Sequence, residues 1–190
     1  MTLKYKNKGI SYIEFILVLA IMILLTTLAT VTMSIVNRNN VTKGADRLTT
    51  GINHAKTLSL SKGAKKGCIT FAAKGSNIYY YYGENIGDKY NVCNAPCTMH
   101  IAILNGTGPS AFDDDISGNT QLRLKFSPST GAFVGAECSY DNGATFSPCI
   151  NETAQFGNLN RITIDNNHGK RAIIDLNIHV GTVKVSYVNY

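Results

Sequence analysis

The sequence predicts an α+β chain, with one long N-terminal α-helix packed on an antiparallel β-sheet head. Three observations carry this. Eleven unbroken apolar residues, Phe15 to Leu25, follow a short basic opening. Apolar residues then recur at helical spacing as far as about residue 62. From Cys68 onward, short alternating segments are separated by Gly, Asn and Pro turns, the pattern of antiparallel strands.

With 190 residues the chain is long enough for one compact domain and one appendage. It is 44% hydrophobic and 16% charged with no tryptophan, which excludes both a disordered chain and a polytopic membrane protein. The net charge of +6 is unevenly placed. Lys4, Lys6 and Lys8 crowd the start, whereas Ile10 to Val36 carries only Glu14. Such asymmetry excludes an ordinary soluble cytosolic enzyme.

A helix over Phe15–Val36 would be roughly 33 Å long, about the thickness of a bilayer's hydrocarbon core. The lysines ahead of it stay on the cytoplasmic side and leave the head outside. A cleaved secretory signal also begins with a basic region and an apolar run. Here no A-x-A site follows, and Glu14 stands at the front edge of the run. A carboxylate near hydrocarbon costs about 2.5–3.5 kcal/mol, so it calls for a partner.

These residues, Lys8-Gly9-Ile10-Ser11-Tyr12-Ile13-Glu14 followed by about twenty apolar positions, resemble the class III signal of type IV pilins and pseudopilins. The resemblance implies cleavage after Gly9 by a membrane-embedded prepilin peptidase and N-methylation of the new terminus, Ile10. It also implies an assembly role for Glu14, the fifth residue after the cut. The physics agrees: cutting after Gly9 creates an amine at Ile10, four residues before Glu14. In a filament core of low dielectric, that amine on one subunit and Glu14 on its neighbour form a far stronger pair than at a surface. Two positions depart from the family pattern. Ile10 replaces the commoner Phe, and Val31 stands where many pilins carry a kinking proline, which implies a straighter helix or bending elsewhere.

Beyond Val36 the helix turns amphipathic, with Val41, Ala45, Leu48, Ile52, Ala55 and Leu58 on one face. Gly51 interrupts it at a cost of about 1 kcal/mol relative to Ala, and Gly63 and Gly67 signal its end. The expected helix therefore runs from about Ser11 to about Lys62. Its polar face is basic, with Arg38, Lys43, Arg47, Lys56, Lys62, Lys65 and Lys66 against Asp46 alone. Such a stripe is read as solvated or facing anionic headgroups, with a nucleic-acid track the sharper alternative. The organisation is then a leader (1–9), a membrane or filament-core half-helix (10–36), an amphipathic half-helix (37–66) and a β-rich head (67–190).

Seven to nine strands in two sheets, or one strongly bent sheet, are expected in the head. CITFAA and NIYYYY form a hairpin, TMHIAIL, QLRLKFS and AFVGAE follow, and RITID, RAIIDLNI and TVKVSYV close the chain. That ending resembles the GspH/FimT group of minor pseudopilins. The group often ends in a Gly-Arg-x-Arg hairpin, whereas this chain reads Gly181-Thr182-Val183-Lys184 and keeps one of the two basic positions. Some FimT-like proteins bind DNA, which makes Arg161, Lys170, Arg171 and Lys184 a candidate DNA patch.

The five cysteines fit an exported, oxidising setting. By proximity, Cys93 with Cys97 and Cys138 with Cys149 are the natural bridges, leaving Cys68 a buried thiol at a strand start; spacing alone leaves connectivity open. A zinc site of Cys93, Cys97 and His100 lacks a fourth ligand. Asp113-Asp114-Asp115 with Asn119 reads as a solvated acidic loop, its alternative a weak calcium site without EF-hand spacing. Asn105-Gly106-Thr107 and Asn151-Glu152-Thr153 match glycosylation sequons. His54, His100, His168 and His179 are scattered, with no nucleophile pattern, phosphate loop or cofactor fingerprint.

The expected function is therefore that of a structural subunit, not an enzyme, and needs no cofactor. The resemblance implies a minor pilin or pseudopilin of a type IV pilus or type II secretion pseudopilus. The partners it implies are sister subunits, the peptidase and methylase, and the bacterial inner membrane before assembly. The alternatives are a DNA-capturing or adhesive minor pilin, for which nucleic acid is the partner, and an unprocessed membrane-anchored domain.

Overall fold

The structure is a computed structural model that describes residues 11–190 apart from 76, 85–86, 95–96, 105–109, 151–159, 167–168, 178–179 and 190. The cleavage pair Gly9 and Ile10, both sequons, His168 and His179 lie outside the described residues. The chain divides into two compact units, Met1–Val36 and Asn37–Tyr190.

Helix α1 spans Tyr12–Lys62 and is followed, after Gly63, by the single turn α2, Ala64–Gly67. In the first unit, Tyr12–Thr32 forms an apolar stretch of 21 residues with mean hydropathy 2.6, none of it buried within the chain. At 1.5 Å per residue this is about 32 Å, enough to cross a bilayer.

In the second unit the described residues form eleven strands. They are β1 (Ile69–Lys74), β2 (Asn77–Tyr82), β3 (Tyr90–Cys93), β4 (Thr98–Leu104), β5 (Ser110–Asp115) and β6 (Gln121–Phe126). After these come β7 (Phe133–Ser139), β8 (Ser147–Ile150), β9 (Asn160–Asp165), β10 (Lys170–Asn177) and β11 (Thr182–Asn189). All pairings are antiparallel, in one sheet of order β3-β2-β1-β6-β7-β8 and another of order β11-β10-β9-β4-β5.

The count exceeds the seven to nine strands expected, because β3, β5 and β8 were not legible as strands. All three are edge strands. An edge strand need not be apolar on alternate residues, and it tolerates Asp and Pro that an interior strand excludes. The acidic loop at Asp113-Asp114-Asp115 is accordingly corrected: these residues close β5, with Ala102, Ile101 and His100 as their partners on β4.

The core explains the helical spacing. Val41, Ala45, Leu48, Ile52 and Ala55 are fully buried, in one cluster with Ile69, Phe71, Leu122 and Phe126 of the first sheet and Met99, Ile101, Ile162 and Ile174 of the second. Leu58, the last member of that helical face, is half-buried. Gly51 is an adaptation to this packing, for a Cβ there would lie 2.7 Å from Cζ of Tyr80. The β10–β11 turn is also tight. Gly181, at φ 64°, sits so close to Gly131 that a Cβ would meet its carbonyl oxygen at 2.2 Å, and Lys56 Nζ donates to Val180 O at 2.7 Å beside it.

Candidate functional site

At the start of α1, Ser11 and Glu14 form a reciprocal capping box. The Ser11 backbone N–H donates to Glu14 Oε2 at 2.8 Å, and the Glu14 N–H donates to Ser11 Oγ at 3.3 Å. The S-x-x-E spacing was present in the sequence, yet Ser11 was missed as Glu14's local partner. The helix N-terminus favours the carboxylate through its unsatisfied N–H groups and dipole. Farther along, four threonine hydroxyls are satisfied within the helix: Thr26 donates to Met22 O at 3.0 Å, Thr27 to Leu24 O at 2.8 Å, Thr30 to Thr27 O at 2.9 Å and Thr32 to Leu28 O at 2.8 Å. Such back-bonding lets polar residues sit in an apolar span.

In the head, the strands bring Arg161, Arg171 and Lys184 to the outer face of the second sheet, because β9, β10 and β11 are neighbours. Lys170 alternates to the opposite face, where Nζ donates to Thr42 Oγ1 at 2.7 Å and lies 4.6 Å from the Tyr187 ring centroid. The outer cations are interleaved with acids. Arg161 pairs with Asp175 at 2.9 Å and Arg171 with Asp165 at 2.7 Å, while Lys184 stands opposite Asp175 in the ladder. Positive charge held in such pairs is little available to phosphates.

Cys93 and Cys97 form a disulfide where the chain leaves β3 of one sheet for β4 of the other. Cys138 is also disulfide-bonded, while the side chain of Cys149 lies outside the described residues. Cys68 is a buried free thiol, its pKa raised chiefly by burial. A bridged Cys93–Cys97 removes both thiolates from the zinc alternative. His100 Nδ1 instead lies 2.9 Å from Asp115 Oδ1 on the next strand. No group of three metal-ligating side chains occurs among the described residues, and the side chains of Asp113 and Asp114 lie outside them.

The outer face of the first sheet carries a polar row instead. Arg123, only 7% exposed, donates to Thr70 Oγ1 at 3.2 Å, Glu137 Oε2 at 3.2 Å and Glu84 O at 2.8 Å, with Phe146 over its guanidinium. Lys125 completes the group on Glu137. Beside it, Cys138, Ser139, Asp141, Thr145 and Pro148 line an open depression of about 500 Å³. Its one carboxylate, Asp141, is taken up by Ser139 and Thr145, which hold its pKa well below the usual range. That arrangement builds a turn rather than a reactive group.

Comparison of the chain with protein-family models, with curated proteins and with solved structures finds no match.

Proposed function

We propose that this chain is a pilin-type structural subunit, a minor pilin or pseudopilin that assembles through α1. The observation that carries the reading is one helix with two different faces to satisfy. Tyr12–Thr32 buries nothing within its own chain, although its mean hydropathy is 2.6. Residues 41–55 of the same helix, by contrast, are anchored in the head's core. An apolar segment left uncovered by its own fold needs lipid or sister helices around it.

Glu14 gives that segment its register. Cleavage after Gly9 leaves the Ile10 amine, and the Glu14 carboxylate of a neighbour neutralises it inside the helical core. A one-residue shift would leave two charges in a medium that penalises each alone. The chain then passes from inner membrane to filament with its head outside the cytoplasm, and its processing partners are a prepilin peptidase and methylase.

Intact mass of the chain recovered from membranes tests this. The expected product begins at Ile10 and carries one added methyl. A chain that retains residues 1–9 is an anchored domain, and the proposal fails.

A further inference from the structure

Among the described residues, the second sheet ends in a strand without the shortness, irregular pairing or proline found at the other sheet edges. Four strands form sheet edges, namely β3, β8, β5 and β11. Three carry protective features of the kind that stop edges pairing. β3 and β8 have four residues each, their pairing with β2 and β7 is irregular, and β8 contains Pro148. β5 joins β4 through a bulge and ends in three aspartates. β11 has none of these. It runs eight residues in unbroken register with β10, without proline, and six of its residues are exposed. Its sequence, TVKVSYVN, is rich in residues that favour strands and carries one charge.

We propose that β11 is a strand-addition edge whose partner is β11 of a second copy of this chain, joined antiparallel about a two-fold axis. Two observations choose that partner. Within this chain, β11 is the one described edge long and regular enough to meet another eight-residue ladder. Its own pattern is also self-compatible. Lys184 lies on the outer face, so its ammonium stays in water rather than blocking the hydrogen-bonding direction. A two-fold axis through Val185 or Ser186 sets Lys184 against Ser186 or Val188, never against another Lys184. The same axis sets Val185 against itself or Tyr187, an apolar cross-strand pair. Isologous pairing closes on itself and extends two five-stranded sheets into one. The contact is independent of the proposed assembly through α1.

The test uses the full chain in membranes, with Lys184→Cys, Val185→Cys, Ser186→Cys and Tyr187→Cys introduced singly and mild oxidation applied. Residues opposed in an antiparallel pair have Cα atoms about 4.5–5.5 Å apart, within disulfide reach. Covalent homodimers are expected to peak at one position and fall on either side, with little product from Tyr140→Cys in the β7–β8 turn at the end of the other sheet. The peak persists in a Glu14→Ala background, which separates this contact from failure of the helix-mediated reading. In a second arm, a crosslinking peak at 186 requires Ser186→Glu and Ser186→Lys each to reduce dimer several-fold and their mixture to restore it. A peak at 185, which sets residue 186 against Lys184, instead requires Ser186→Lys to reduce dimer and Ser186→Glu not to. Equal crosslinking at Tyr140→Cys, no homodimer, or adducts only with another protein or with cysteines placed in β5 would overturn the proposal.

Discussion

Glu14 Oε2 lies 2.8 Å from the backbone nitrogen of Ser11, and Ser11 Oγ accepts the Glu14 N–H in return. The carboxylate thus serves its own helix as an N-terminal cap, in addition to the intersubunit role proposed for it. The two roles respond differently to substitution. Gln at this position keeps the cap's acceptor but loses the charge, whereas Ala loses both. Under the proposed assembly, Glu14→Gln and Glu14→Ala both drop out of the sheared filament fraction while staying in the membrane. Normal incorporation of Glu14→Gln would show that charge is not what the position supplies.

Gly51→Ala is expected to destabilise the head, although Ala is the better helix former by about 1 kcal/mol. Its Cβ would fall 2.7 Å from the Tyr80 ring, which is itself packed against Tyr90 at 5.3 Å. Overpacking of this kind costs about 1–3 kcal/mol. Thermal unfolding of the detergent-solubilised chain should show a lower midpoint, and a higher one would contradict the packing described.

Arg123→Met removes the cation that joins Thr70, Glu84 and Glu137. Glu137 keeps Lys125, yet loses its most buried partner, and the loss should approach the roughly 3 kcal/mol typical of a broken buried pair. Pairing it with Glu137→Gln in a double-mutant cycle checks the mechanism. Additive effects would mean that the two side chains are energetically independent.

Burial raises the pKa of the Cys68 thiol and leaves it protonated at neutral pH. Because the thiolate is the reactive form, an alkylating reagent should leave Cys68 unmodified in the folded chain and label it on denaturation. Peptide mass spectrometry after brief labelling decides this, and rapid native labelling would contradict the burial.

Hydrogen bonds from Ser139 and Thr145 depress the pKa of Asp141, so its contribution to the β7–β8 turn has a definite sign. The charged form is the one the fold stabilises. The contribution is therefore present above the unfolded-state value of about 3.9 and is lost as pH falls toward the depressed folded value. An NMR titration should place the Asp141 midpoint below that of an ordinary aspartate, and Asp141→Asn should move the turn's amide signals at neutral pH. A normal midpoint would mean that the two hydroxyls do not hold the carboxylate.

Periodicity alone made α1 legible, because the same residues that form a helical stripe in sequence, Val41 through Ala55, must share one buried face in space. Interior strands such as β1 and β6 were readable for a related reason: the face each turns to the core is apolar on alternate residues, Ile69 and Phe71 in one and Leu122, Leu124 and Phe126 in the other. The edges β3, β5 and β8 escaped notice because one side of each is unpaired, which removes the demand for an apolar pattern and admits Asp113–Asp115 and Pro148. β11 is the exception that reads like an interior strand while occupying an edge. Pair contacts were least legible of all. Nothing local in Gly51 announces the Tyr80 ring, nor in Arg161 the Asp175 carboxylate, since each partner arrives through pairings set by distant parts of the chain. Chain-local chemistry, the helix stripe and the S-x-x-E cap, is written in neighbouring residues. Sheet order, and with it the pairing of Arg161 and Arg171 with acids, exists only once the strands have met.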